Sequence, residues 1–524
     1  MQRRTPFLCL ALAIFFATGA SSQIVMKTIA TDPVKIDSGL IAGKLLHNGV
    51  RAYLGVPFAA PPVGQFRFRE PQPVTPWEGV YNADRFGPKC PQTQDITPEP
   101  MSEDCLYLNL WAPAGAKAGD KLPVILYFHG GGYTGNSGAR PFYNGQTLAT
   151  KGVIHVTMNF RLGPFAEFAS PELTAESPYH ESGNLVRFDQ FAAMKWIKQN
   201  IAAFGGDPDN LTLMGLSNGG VAVSYLMASG VTRGYYKRVV GLSGSVLNSP
   251  FPLSTLAQAE QAGLKFQEAL GAKNLAEMRA LPMLKILAGA PNGATTKAAS
   301  IDGYFLTEDP SQVFAEGKQV DVPAILGRGA DEQFIPDVKT VEEYRAAVEK
   351  AAGPKTEELL KLYPVTSDAD VPAMATKMAT DAGMGRSMLN WAQLQKGTGK
   401  SPVYLDMFAR GAATHGADLA YWFDILDLPG ALSNPNRPIG PLDHEVAVKM
   451  DDALVAFVKT SDPNTAAVKW PQFTRDNEVQ MVFGDKVEAM PVDPGVKFFV
   501  ENPQIAIGRL GVAAGPTIVR QGPL

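Results

Sequence analysis

Residues 211–220 read Leu211-Thr212-Leu213-Met214-Gly215-Leu216-Ser217-Asn218-Gly219-Gly220. A β-favouring apolar run stops at a glycine, a serine follows one residue later, and two more glycines close the stretch. This Gly-x-Ser-x-Gly pattern sets a serine at the tip of a tight strand-to-helix turn, where its hydroxyl is presented as a nucleophile. The turn strains the serine backbone, and residues two positions away must lack side chains or the strand and helix collide; glycine permits this. Alone, the pentapeptide also fits an ordinary loop serine, so the rest of the chain has to decide.

The neighbouring segments read as strands that deliver loops. Residues 124–128 are continuously apolar, as a strand buried on both faces requires, and run into His129-Gly130-Gly131-Gly132-Tyr133. Residues 153–159 form a second such run. Leu185, Phe188, Ala192, Trp196, Ile197, Ile201 and Phe204 recur at helical spacing, and Gly205-Gly206 ends the helix. Further apolar strands are expected at 239–242, 322–326 and 403–408. Strands alternating with helices predict an α/β fold with a doubly wound, mainly parallel sheet, whose ligands sit beyond the carboxyl ends of the strands. Amphipathic stretches at 255–290, 340–363 and 372–395 are expected to be helical cap insertions over the site. A final helix is expected at about 444–459. The prolines of segment 53–64 predict an irregular, extended surface stretch. No linker or repeat divides residues 23–524, which read as a single domain.

Composition sets the class. The chain has 524 residues, 45% hydrophobic and 19% charged, an ordinary globular profile. A net charge of −4 with no basic cluster gives no support for nucleic-acid binding. Residues 1–22 read as a secretory signal: Arg3 and Arg4 precede an apolar run over residues 7–17, and small residues close the segment. Its removal takes away two arginines and moves the charge from −4 to −6. No other apolar run is long enough to span a bilayer, so the mature chain is expected to be secreted (periplasmic or extracellular) without a membrane anchor. Of three cysteines, Cys9 lies in the signal and Cys90 and Cys105 remain. An even pair in an exported chain suggests one disulfide. So few cysteines and such scattered histidines speak against zinc, and no metal or cofactor is expected.

A serine hydroxyl needs a base, and the base needs a carboxylate to fix its tautomer and stabilise its cation. Among six histidines, His155 sits inside an apolar strand and His129 shapes the glycine loop. His47, His180 and His444 lack catalytic punctuation. His415, in Thr414-His415-Gly416-Ala417-Asp418, follows the strand at 403–408 and is the best base. For the acid, Asp331 and Glu332 in Gly327-Arg328-Gly329-Ala330-Asp331-Glu332 compete, and spacing does not choose between them. The order serine, acid, histidine is that of α/β hydrolases. Gly130-Gly131-Gly132 after a strand supplies unobstructed N–H groups for an oxyanion hole, and Asn218 adds its own.

These motifs together resemble the type-B carboxylesterase family, which includes the cholinesterases, over about residues 35–485. Segment 53–64 is similar to the family's Gly-x-Pro-[FY]-Ala-x-Pro-Pro-x-Gly motif, and Glu103-Asp104-Cys105-Leu106-Tyr107-Leu108-Asn109 to its Glu-Asp-Cys-Leu-x-Leu-Asn signature. Asn159-Phe160-Arg161-Leu162-Gly163-Pro164 and Phe204-Gly205-Gly206-Asp207-Pro208 also match. The resemblance implies the α/β-hydrolase fold, Ser217 as nucleophile, Glu332 as acid, His415 as base, and Gly131, Gly132 and Asn218 as oxyanion donors. It implies a Cys90–Cys105 bridge and a buried polar role for Ser243. The chain departs from the family at Leu216 and Asn218, where Glu and Ala are usual, and at Gln333, where Gly is usual.

The expected function is hydrolysis of small-molecule carboxylic esters through an acyl-enzyme, without a cofactor. Alternatives are cleavage of a related amide or thioester, or a non-catalytic binding role. Tyr133, Phe165, Tyr421, Trp422 and Phe423 lie near the site motifs and are candidates either for an acyl or alcohol pocket or for core.

Overall fold

The computed structural model describes the backbone of residues 25–28 and residues 32–94, 96–247, 253–290, 299–332, 337–432 and 436–507. The expected signal segment and Gln333 lie outside the described residues. One 12-stranded sheet organises them: β1 (Val25–Thr28), β2 (Lys44–Leu46), β3 (Arg51–Pro57), β4 (Tyr107–Ala112), β5 (Leu122–Phe128), β6 (Ile154–Met158), β7 (Gly206–Leu216), β8 (Arg238–Leu242), β9 (Ala324–Gly329), β10 (Val403–Phe408), β11 (Val479–Phe483) and β12 (Val487–Pro491). In space they run β1-β2-β3-β4-β6-β5-β7-β8-β9-β10-β11-β12. Every neighbouring pair from β6 across to β11 is parallel. Antiparallel strands flank this block at both edges.

The parallel strands are buried on both faces, which is why they read as unbroken apolar runs. Val124, Leu126 and Phe128 of β5 enter one core, and Ile125 and Tyr127 enter the other. Helices α1 (Leu185–Asn200), α2 (Asn218–Ala228) and α3 (Arg386–Thr398) cover the first face, and α4 (Pro441–Thr460) the second. Large side chains such as Trp196, Trp391 and Phe457 are essentially inaccessible to solvent, each stabilising the fold by about 1.5–3 kcal/mol.

Two expectations are corrected. Segment 53–64 is not a surface stretch at its start. Arg51–Pro57 is a strand paired with β4, and Tyr53, Leu54 and Val56 are buried. Pro57, Pro61 and Pro62 fall at and beyond the strand's end, so the residues that need N–H donors keep them. Stretch 372–395 is only partly an insertion. Val371–Thr380 passes through a π-helical turn, Asp381–Gly385, into α3. Helix α3 packs on the sheet, with Trp391 lying against Gly241 of β8. Amphipathic spacing marks a covered face without saying which element covers it.

The remaining insertions pack on clusters of their own. Helices at Leu256–Ala269, Leu275–Ala280 and Met283–Gly289 pack with Phe68, Phe165 and Phe168. Those at Val341–Ala352 and Thr356–Leu362 pack on Phe498 and Phe499. No helix among the described residues is long and apolar enough to cross a membrane.

Cys90 and Cys105 are joined by a disulfide, both buried, at a sequence separation of 15. A loop of that length restricts the unfolded chain by about 3 kcal/mol. A Cys90→Ala/Cys105→Ala double variant is therefore expected to unfold at lower denaturant. Its midpoint should match that of reduced wild type; equal midpoints for the double variant and oxidised wild type would contradict the bridge's role.

Candidate active site

The carboxyl ends of four strands lie side by side. Leu216 pairs with Leu242, Leu242 with Gly327, and Gly327 with Asp406. The loops leaving β7, β8, β9 and β10 carry Ser217, Ser243, Glu332 and His415, so the register brings these loops to one edge. On the other side of β7, Gly215 pairs with Phe128, which brings residues 129–133 to the same edge.

Ser217 caps α2 with φ 59° and ψ −124°, a conformation costing a non-glycine residue about 1–3 kcal/mol. Its neighbours force the turn. A Cβ on Gly215 would stand 2.3 Å from the carbonyl carbon of Gly219, and one on Gly219 would stand 2.0 Å from the Phe128 carbonyl oxygen. The Ser217 N–H donates to the Leu242 carbonyl at 2.8 Å.

Glu332 is buried and its Oε2 meets His415 Nδ1. Its Oε1 accepts from Ser243 Oγ at 2.7 Å and from the Gly329 N–H at 2.8 Å. The Glu332 N–H donates to Thr380 Oγ1 at 3.1 Å, while the Asp331 N–H donates to the Ala413 carbonyl. Burial alone would raise the Glu332 pKa, but the His415 charge and these donors hold it below the usual carboxylate value. Burial likewise opposes the imidazolium of His415, and Glu332 outweighs it, so the His415 pKa lies above 6.5. With Nδ1 on Glu332, Nε2 is the ring nitrogen open to a hydroxyl. Leu216 is buried and its Cδ2 lies 2.9 Å from the Cβ position of Gly416. The last side chain of β7 thus touches the residue after His415.

The glycine loop runs directly past the serine: the Cβ position of Gly130 is 2.9 Å from Ser217 Cβ. The Gly131 carbonyl turns back to accept from Thr134 and Gly135. Among the described residues, the N–H groups of Gly131, Gly132 and Asn218 donate to no protein acceptor. His129 donates from Nδ1 to the Gly130 carbonyl at 2.8 Å and stacks on Phe160. Burial pushes it down to about 4, so it stays neutral as a shape-setting ring.

The aromatic candidates separate. Tyr421, Trp422 and Phe423 are fully buried in the core under α4, and Phe165 is buried in a core of its own. These four do not line an open pocket, because helical packing absorbs them. Tyr133 is half-buried, and its hydroxyl donates to the Asn218 carbonyl at 3.0 Å.

Two neighbours carry no sequence signal of a role. Thr380 lies in an amphipathic stretch. Asp418, three residues after His415, is buried, and its Oδ2 has no hydrogen-bond partner among the described residues. Burial, then the Glu332 charge, pushes its carboxyl up to about 7, and its charge in turn favours the His415 cation. Among the described residues no cluster of three His, Cys, Asp or Glu side chains is arranged to hold a metal.

A base must be neutral to work. Since His415 is raised, the acidic limb of kcat/KM should lie above pH 6.5. Asp418→Asn removes a charge that favours the cation, so the limb should move to lower pH. An unmoved limb in a folded variant would show that Asp418 does not act on His415.

A sequence model of the "Carboxylesterase family" matches residues 30–494. The chain is 34% identical over 514 residues to the fumonisin B1 esterase of Sphingopyxis macrogoltabida, covering 92% of this chain and 93% of that protein. It is 32% identical over 474 residues to the para-nitrobenzyl esterase of Bacillus subtilis (strain 168), covering 84% and 92%. Among solved structures, a PNB esterase superposes with a TM-score of 0.74 at 30% identity, covering 91% of this chain and 100% of that one. A thermophilic PNB esterase gives 0.75 at 30% identity, with the same coverage. The architecture described above is the α/β-hydrolase fold of these structures.

Proposed function

The chain belongs to the carboxylesterase family of serine-dependent carboxylic ester hydrolases, and on that premise we propose that it cleaves esters at Ser217 through an acyl-enzyme. The observation that carries the reading is the buried Glu332 carboxylate on His415 Nδ1, at the strand edge that also presents Ser217 in its strained turn. Ser217 Oγ attacks the ester carbonyl carbon while its proton passes to His415 Nε2. The carbonyl π pair moves to oxygen, and the N–H groups of Gly131, Gly132 and Asn218 receive that charge. Collapse expels the alkoxide, which takes the proton from His415 and leaves as alcohol. Water then repeats the sequence on the acyl carbon, giving the acid and free serine. Glu332 keeps the imidazole in its working tautomer and stabilises its cation throughout.

Residues 23–524 act as one hydrolase unit, and 1–22 direct it to the secretory route. A buried disulfide suits the oxidising compartment that such a route leads to. The apolar Leu216 beside the His415 loop favours esters with uncharged groups next to the scissile bond. The relatives are named for fumonisin B1 and para-nitrobenzyl esters, which makes both good members of a first substrate panel.

Ser217→Ala should lower ester turnover by about four to six orders of magnitude, and Glu332→Gln should lower it far more than Asp331→Asn. Steady-state rates on chromogenic esters of varied acyl length check both. Near-normal turnover by the Ser217 variant would end the reading, and collapse of the Asp331 variant alone would move the acid by one residue.

A further inference from the structure

The candidate oxyanion hole is built from two separate pieces of chain. Gly131 and Gly132 belong to the loop after β5, and Asn218 to the first turn of α2. Stabilisation of a developing oxyanion depends on donors fixed at one spacing before the reaction begins. Nothing in the sheet register sets that spacing, because the loop leaves β5 before reaching Gly131.

Tyr133 crosses the gap. It follows Gly132 immediately and is held at φ 56°, an uncommon backbone state for a bulky residue. Its carbonyl accepts from the Gly163 N–H at 2.9 Å and its hydroxyl donates to the Asn218 carbonyl at 3.0 Å. One side chain thus links the residue beside Gly132 to the residue beside Ser217.

A buried cation supports this link. The Arg187 guanidinium of α1 lies 5.0 Å from the centroid of the Tyr133 ring and 4.5 Å from that of Tyr225. Tyr225 belongs to α2, the helix that carries Asn218 at its start. The cation therefore contacts both halves of the hole through their rings. Arg187 is 1% exposed, and among the described residues its Nε and Nη1 have no hydrogen-bond partner. Glu167, also buried, has an Oε2 without a partner among the described residues, and burial pushes its carboxyl up to about 8. Burying a guanidinium without forked hydrogen bonds is costly; here the two ring faces offset part of the loss.

We propose that Tyr133 and Arg187 are positioning residues, a brace that sets the separation between the glycine-loop donors and the Asn218 donor of the oxyanion hole. The proposal rests on the ester-hydrolase reading above. Neither residue touches the reacting atoms; the hydroxyl fixes the distance, and the guanidinium fixes the ring that carries the hydroxyl.

The test uses Tyr133→Phe, which keeps the ring and removes the hydroxyl, with Arg187→Met and Arg187→Lys. Each full-length variant is measured for kcat and KM on a p-nitrophenyl ester and for inhibition by an aryl trifluoromethyl ketone. Addition of the serine oxygen to that ketone gives a hemiketal whose oxyanion needs the same donors. Small misplacements of such donors cost up to about 100-fold in rate. Tyr133→Phe should therefore lower kcat about 10-fold and raise the ketone Ki by the same factor, with KM within about twofold. Arg187→Met should do the same, and Arg187→Lys should recover part of the loss. A purely structural role would lower the unfolding midpoint without coupling kcat to Ki. Wild-type kcat and Ki in Tyr133→Phe, or a fall in kcat with Ki unmoved, would overturn the brace. If Arg187→Met does not fold, Tyr133→Phe decides alone. Ser217→Ala and ketone inhibition of wild type run in parallel. Retained turnover in Ser217→Ala, or no inhibition of wild type, removes the ester-hydrolase reading and the brace with it. If both controls behave as expected, failure of the Tyr133 variant removes the brace alone.

Discussion

The molecule depends on the backbone of Ser217. It holds a positive φ between a strand and a helix packed so closely that only glycines fit around it. A Cβ on Gly244 would stand 2.0 Å from the Ser217 carbonyl oxygen, as intolerable as one on Gly219. Such strain persists only where the surroundings over-determine it. Here they are the parallel strands β5, β7 and β8, whose hydrogen-bonded register fixes the turn on both sides. The sheet fixes where strands end, and the ends fix which loops meet the serine.

The second constraint is electrostatic. A fully buried carboxylate is costly unless it is paired and hydrogen-bonded. Glu332 meets that demand with Ser243, the Gly329 N–H and His415. The same contacts that keep it ionised aim the imidazole. Asp418 sits behind this pair as a buried carboxyl whose charge state is sensitive to the first one. The turn at Asp381–Gly385 holds the far side: Asp381 pairs with Arg328 of β9 and receives the Tyr363 hydroxyl, while Thr380 accepts from Glu332. A π-helical turn of this kind often marks a functional position.

Much of this was legible in the chain. The strands at 124–128, 239–242 and 403–408 announced themselves because a parallel strand buried on both faces has no polar alternation to hide it. The elbow was legible because its glycines are sterically obligatory. The local pattern could not separate Glu332 from Asp331, since adjacent acids at a loop differ only in which way the chain turns; the family resemblance favoured Glu332. Strand β3 was masked by its prolines, although these lie at its end. The sequence of helix α3 does not tell a sheet from a cap, because a covered face looks the same under either. Tyr133, Arg187 and Tyr225 are distant in sequence, and only packing brings the three together.

On the ester-hydrolase reading one serine, Ser217, carries the acyl group. The most direct test of that assignment is covalent. The full-length protein is treated with a chromogenic phosphonate ester, the released alcohol is counted against protein, and the adduct is located by peptide mass mapping. One equivalent of alcohol should be released per chain, with the phosphonyl group on Ser217 alone. An adduct on another residue, or none under conditions where the protein hydrolyses esters, would contradict it.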